Sequence, residues 1–331
     1  MRKIFITKFN GIVLSICIVI SIMAGGEAEA GRIKKVAIGT LSHQSDVSWG
    51  WGHYKMFEFG KKKHPDVEFV FADKVPWAET ESTLINWATR GIDFIQVGSA
   101  FIDAVKAVAP RYPKVKFGIT DGYLKGPNIQ TVDWKTEQGG YLCGVLAARM
   151  TKTKVVGYIG GMDYPDIVRV GEAFKLGAQS VDPSMKVLRV YLGSWTDQAL
   201  AYETASAMAD KGTDVFIHIA DMATFGIYKL INERKLMVIG VNHFEQVQWL
   251  PDRTLGVLAH GFENVFERNF HDAESDTFGN KIISYGLQNG WEQIQLVMEN
   301  LPVDVVDHVL MVQRDIACGK ITVPIITKPT D

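Results

Sequence analysis

The sequence predicts an α/β fold of two doubly wound parallel-sheet lobes. Three observations carry this expectation. Strand-like and helix-like runs alternate from residue 34 onward. The strand-like runs are apolar almost throughout, as in parallel strands covered by helices on both faces. The series also restarts in register: Ile38-Gly39 matches Ile159-Gly160, Gly91-Ile92-Asp93 matches Gly212-Thr213-Asp214, and Asp121 matches Asn242, each pair 121 residues apart. Three landmarks at one spacing indicate an internal repeat.

The chain opens with MRKIFITKFN, which carries Arg2, Lys3 and Lys8, followed by the apolar run GIVLSICIVISIMAGG. Ala28-Glu29-Ala30 fits a small-residue cleavage site. The expectation is a cleaved signal peptide over 1–30 and a periplasmic or otherwise extracytoplasmic protein. The apolar run is shorter than the about 20 residues a membrane span needs. A lipid anchor at Cys17 is disfavoured because Ile16 is bulky for the position before a lipidated cysteine. Of the other cysteines, Cys143 sits in the apolar helical run YLCGVLAARM, so Cys143 and Cys318 read as free thiols. A formal net charge of −2 points away from a nucleic-acid surface.

The first repeat reads as strands VAIGT, VEFVFA, FIQVG and VKFGIT, with helices WGHYKMFEFGKKK, ETESTLINWAT and DAVKAVAPRY between them. The second reads as strands VVGYIGG, KVLRVYLG, DVFIHIA and LMVIGVN. Its helices are IVRVGEAFKLGAQSV, QALAYETASAMADKG and TFGIYKLINERK. Lobe 1 is expected over 31–132 and 260–284, and lobe 2 over 133–259 and 285–331. Chain crossings are expected near 131–134, 257–261 and 283–288.

In doubly wound sheets, ligands bind beyond the carboxyl ends of strands. In lobe 1 those positions are Asp46, Ser48 and Trp49, then Trp77, then Gly98 and Ser99, then Asp121. In lobe 2 they are Asp163 and Tyr164, then Trp195 and Asp197, then Asp221, then Asn242. His260 falls at an expected crossing. Both sets combine aromatic faces with short polar side chains, which suits a flat heterocycle held by stacking and edge hydrogen bonds. Trp49 and Trp195 are the expected walls. Arg169 is expected either to pair across the cleft mouth or to reach the ligand.

Several segments resemble the basic membrane protein (BMP) family of ABC-importer substrate-binding proteins: SDVSW (45–49), FGITDG (117–122), GGYLCGVLAARMTKTKVVGYIGGMD (139–163), GSWTD (193–197), YGLQNG (285–290) and DIACGKITVP (315–324). The resemblance covers roughly 34–325. It implies the two-lobed type I periplasmic binding protein architecture with its three-strand hinge, hinge closure around a purine nucleoside or related base, and delivery to an inner-membrane ABC permease. It makes Trp49 the base-stacking aromatic, Asp46 the acidic position near it, Asp121 a polar contact at the edge of the first lobe's cleft, and Trp195 the aromatic of the second lobe. Three positions depart from the family's nucleoside binders. Gly50 stands where they commonly have Asn, Asn242 where they have Asp, and His260 where they have Lys. Asp and Lys there would grip ribose, so a free base or another heterocycle fits as well as a nucleoside.

Catalytic signatures are absent: the chain has no G-x-S-x-G, Walker loop or H-E-x-x-H. No cofactor or metal is expected, and the chain reads as a non-enzyme. The other reading on the same scaffold is a ligand-sensing receptor that signals instead of transporting.

Overall fold

The computed structural model describes residues 32–275 and 277–330. The expected signal segment, with Cys17, lies outside the described residues. The first sheet takes β1 (Lys35–Gly39), β2 (Glu68–Ala72), β3 (Phe94–Gly98), β4 (Lys116–Thr120) and β5 (Ile129–Trp134). These alternate with α1 (Trp49–Lys63), α2 (Thr80–Thr89) and α3 (Ile102–Val108). The chain then passes through α4 (Thr136–Met150) into β6 (Val155–Gly160), α5 (Pro165–Val181), β7 (Lys186–Tyr191), α6 (Gln198–Asp210), β8 (Val215–Ile219), α7 (Thr224–Arg234), β9 (Met237–Asn242) and β10 (Thr254–His260). It returns for α8 (Phe262–Glu274) and β11 (Lys281–Tyr285), then crosses again for β12 (Glu292–Leu296) and α9 (Val303–Ala317).

The two six-stranded sheets run β2-β1-β3-β4-β5-β11 and β7-β6-β8-β9-β10-β12. Their orders superpose strand for strand, and the sequence landmarks fall on equivalent places. Gly91 and Gly212 both turn with positive φ, +76° and +99°, ahead of β3 and β8. Only glycine adopts that backbone freely. Asp93 then accepts the backbone N–H groups of Lys34 and Lys35, both at 2.9 Å. Asp214 accepts those of Lys152 and Thr153 at the matching place. Each carboxylate ties the entry of the central strand to the neighbouring strand.

One departure from a purely parallel sheet is β12, which runs antiparallel to β10 with His260 opposite Glu292. Only six residues separate β11 from β12.

Both sheets are covered on both faces. α2 and α3 bury Leu84, Ile102 and Val105 against one face of the first sheet, while α8 brings Phe262, Phe266 and Phe270 to the other. On the second sheet α4, α5 and α9 cover one face, and α6 and α7 the other. Helices α4 and α5 touch through glycine. A Cβ on Gly144 would lie 2.1 Å from the Phe174 carbonyl oxygen, and one on Gly177 2.0 Å from that of Tyr141. Gly144→Val should therefore push the helices apart and cost about 1–3 kcal/mol or more. The expected result is a lower urea midpoint, and an unchanged one would show that the contact yields freely.

Candidate functional site

The carboxyl ends of both sheets open onto one cavity of about 830 Å³. Of the residues the sequence singled out, Trp49, Ser99, Asp121, Trp195, Asp221, Asn242 and His260 line it. Trp77 also lines it, 56% exposed at the rim, beside Tyr123 and Tyr164. The backbone under the polar lining is unusual. Asp121, Asp221 and Asn242 all have positive φ, +56°, +42° and +75°. Non-glycine residues are held there only by their surroundings, and such positions gather at functional sites.

Three expected contacts sit behind the wall instead. Asp46 is 2% exposed, and both its oxygens are occupied by backbone at the start of α1. Oδ1 accepts from the N–H of Ser48 at 2.7 Å and of Trp51 at 2.9 Å, and Oδ2 from Gly50 at 2.8 Å. A helix start leaves several N–H groups without partners, and Asp46 absorbs them. Burial, then the repulsion of Asp221, pushes its carboxyl up to about 7. Gly98 lies under Trp49, where a Cβ would meet the indole Nε1 at 2.9 Å. It gives the ring room to lie against the end of β3. Ser48 is buried and spent on the lobe junction described next. Trp51 stacks on Tyr54, with centroids 5.6 Å apart, and Asp197 caps α6 through the Leu200 N–H at 2.9 Å.

The lobes meet through side chains. Ser42 Oγ donates to Asp221 Oδ2 at 2.9 Å, and Ser48 Oγ donates to Asp221 Oδ1 at 3.0 Å. Asn242 Nδ2 donates to Ser48 Oγ at 2.9 Å, and His260 Nδ1 stands 3.0 Å from Asn242 Oδ1. His243 Nε2 donates to the Ser48 carbonyl at 3.1 Å, and Gln246 Nε2 to that of Val47 at 2.9 Å. Burial raises the Asp221 carboxyl, but the hydroxyls of Ser42 and Ser48 and the Trp49 backbone oppose this. Burial holds the His260 ring down to about 3 and the His243 ring down to about 4, so both rings are neutral.

Arg169 does not line the cavity. It crosses between the lobes beneath it, 9% exposed. Its guanidinium lies 3.3 Å from Asp133, 3.5 Å from Glu137 and 3.7 Å from Asp121. It also donates to Thr136 Oγ1 at 2.8 Å and to the Trp134 carbonyl at 2.7 Å. Burial, then repulsion from Asp133 and Asp166, raises the Asp121 carboxyl well above its usual range. Among the described residues, no group of three or more His, Cys, Asp or Glu side chains is placed to hold a metal ion.

Sequence reasoning missed several members of this site. Trp134 and Asp166 line the cavity, and Ser42, His243 and Gln246 join the lobes. Glu292 backs His260 from β12. The repeat offered a partial signal for His243, which directly follows the Asn242 landmark. Glu292 lies in a hinge strand outside the repeat.

A two-lobed α/β shell with aromatic and polar strand ends facing one interlobe cavity is the architecture of a solute-binding protein. The chain belongs to the Bmp family, described as ABC transporter substrate-binding protein PnrA-like, whose model matches residues 33–327. This is a family of substrate-binding proteins, not of enzymes. Its members bind small-molecule ligands outside the cytoplasm and work with an ABC permease. No helix among the described residues is long and apolar enough to cross a membrane. A purine-binding protein of Brucella abortus is 27% identical over 88% of this chain and 83% of its own. The nucleoside-binding protein BmpA of Lactococcus lactis is 32% identical over 69% of this chain and 70% of its own. Among solved structures, an ABC transporter solute-binding protein from Aeropyrum pernix superposes with a TM-score of 0.77. It covers 90% of this chain and 94% of its own at 21% identity, and so speaks to the fold alone.

Ser48 is the one hydroxyl that bonds both Asp221 and Asn242. Ser48→Ala leaves a buried acceptor and a buried donor unpaired, at about 1–3 kcal/mol. The ligand-free protein should then scatter with a larger radius of gyration in small-angle X-ray measurements. An identical profile would mean that other contacts hold the lobes.

Proposed function

We propose that this chain captures a purine as the free base, outside the cytoplasm, and hands it to an ABC permease. Aromatic faces from both lobes, Trp49 and Trp195, line the cavity together with short polar side chains, as a flat heterocycle requires. The observation that carries the choice of base over nucleoside is the pairing of Asn242 with His260. Asn242 spends its oxygen on His260 and its nitrogen on Ser48, and the buried His260 ring is neutral. Neither offers the charge that grips a vicinal diol strongly. The volume admits either ligand, so the polar atoms decide. The Brucella and Lactococcus relatives, named for purine and nucleoside binding, bracket this reading. Export is directed by residues 1–30, which are then removed, and the mature chain should begin at Gly31, read by intact mass.

Closure follows from differential contact. Groups from both lobes touch the base only when the cleft is shut, so binding shifts the population toward the closed shape. Adenine and hypoxanthine should bind more tightly than adenosine and inosine by isothermal titration calorimetry. Equal or reversed preference would reject the free-base reading. Trp49→Ala should weaken base binding by at least about 1 kcal/mol, the worth of one stacking face. Unchanged affinity would remove Trp49 from the contact surface.

A further inference from the structure

We propose that Glu292 is a positioning residue for the cleft: through His260 it holds the Asn242 side chain in the one orientation that bonds Ser48 and ties the lobes together over the cavity. Glu292 is completely buried on β12, opposite His260 on β10. Neither of its side-chain oxygens has a side-chain hydrogen-bond partner among the described residues. Oε1 lies 3.4 Å from His260 Nε2, which itself lacks a hydrogen-bond partner there. The other groups facing Glu292 are Glu137 and Cys143 on α4, Asp133 on β5 and Arg169 on α5. His260 is faced in addition by His243 and Arg169. The single arginine is already shared among Asp121, Asp133 and Glu137. An ionised Glu292 would thus be a buried charge supported only by the Gly139 backbone N–H and the more distant Arg169, which is costly. Burial, then Glu137, holds its carboxyl well above its usual range, against the pull of Arg169 and the Gly139 N–H.

The direction of the chain of hydrogen bonds follows from its far end. Three donors converge on Asp221: the hydroxyls of Ser42 and Ser48 and the Trp49 backbone. The Ser48 hydrogen is therefore committed to Asp221, and the Ser48 oxygen can only accept. Asn242 must present Nδ2 to it, which leaves Oδ1 toward His260. Nδ1 of His260 must then carry the hydrogen. A neutral imidazole has only one, so Nε2 is a lone pair turned toward Glu292. A neutral Glu292 supplies the matching O–H. An ionised Glu292 instead favours the hydrogen on Nε2, which turns a lone pair of Nδ1 against Asn242 Oδ1. Flipping the amide to escape sets that oxygen against Ser48, whose hydrogen is already used. The protonated carboxyl of Glu292 thus selects the histidine tautomer, the tautomer selects the amide orientation, and the amide closes the lobe junction.

The sign follows. The relay needs a protonated Glu292, so its contribution is lost as pH rises through the raised value of that carboxyl.

The deciding measurement on the ligand-free mature protein is the nitrogen-15 spectrum of His260, assigned with His260→Gln. A neutral ring protonated at Nδ1 is expected. A ring protonated at Nε2 alone, or at both nitrogens, overturns the relay. With adenine as probe, Glu292→Gln keeps an N–H to donate to Nε2 and should bind within about twofold of the wild type. Glu292→Leu has no donor and should bind about tenfold more weakly. Wild-type affinity should fall with rising pH, with proton uptake on binding seen as buffer-dependent calorimetric heat, and Glu292→Gln should show neither. Equal loss in both variants, or no loss in either, rejects the positioning role. The binding readout rests on the purine reading, whereas the tautomer readout does not. Failure of every protein to bind adenine would reject the ligand and leave the tautomer to decide the relay.

Discussion

The closed arrangement depends on a hydroxyl. Ser48, at the start of α1 in the first lobe, is gripped by Asp221 and Asn242 from the second. All three are at least nine-tenths buried, so water cannot replace a lost bond there. The position of Ser48 depends in turn on Asp46, which caps the loop that carries it. Its partners depend on left-handed backbone at the ends of β8 and β9. Strain at Asp221 and Asn242 is sustained because the lobe junction rewards it. One carboxylate placed for capping, and two residues in an unfavourable backbone region, thus determine how the walls of the cavity meet.

Beneath the cavity the hinge concentrates charge. Arg169 gathers Asp121, Asp133 and Glu137, while Glu292 and His260 stand against one another beside it. Removing one member of such a buried group leaves others uncompensated, typically at about 3–5 kcal/mol. The group spans α5, β4, β5 and α4, so its geometry registers the relative position of the lobes.

The repeat explains both the symmetry and its breaking. The turn glycines and the strand-entry aspartates do the same work in both lobes. Asp121 and Asn242 occupy equivalent strand ends with equivalent backbone, yet they meet different surroundings. Asp121 faces Arg169 and further carboxylates, while Asn242 faces a serine and a histidine. One duplicated position thus gives a carboxyl in one wall and an amide in the other, and a flat ligand entering between them meets two distinct edges.

The two-sheet architecture was legible in the sequence because a parallel sheet demands apolar strands at regular intervals, and the duplicated turns repeat at one spacing. Trp49, Asp121, Trp195, Asp221 and Asn242 were legible as cavity lining because ligands collect at the ends of parallel strands. Asp46 and Gly98 followed the same rule yet serve the backbone, since a residue after a strand can as readily cap the next helix or make room for a ring. Trp134, Gln246 and Glu292 had no local signal, and His243 had only its place after the Asn242 landmark. Trp134 and Glu292 lie where the chain crosses between lobes, and the antiparallel return of β12 decides what faces His260. Periodicity and turn chemistry are local, so the sequence by itself determined the lobes, the strand ends and the kind of site. Only the tertiary structure decided which polar groups are used up holding the lobes together and which remain for a ligand, because that depends on partners as many as 194 residues apart in the chain.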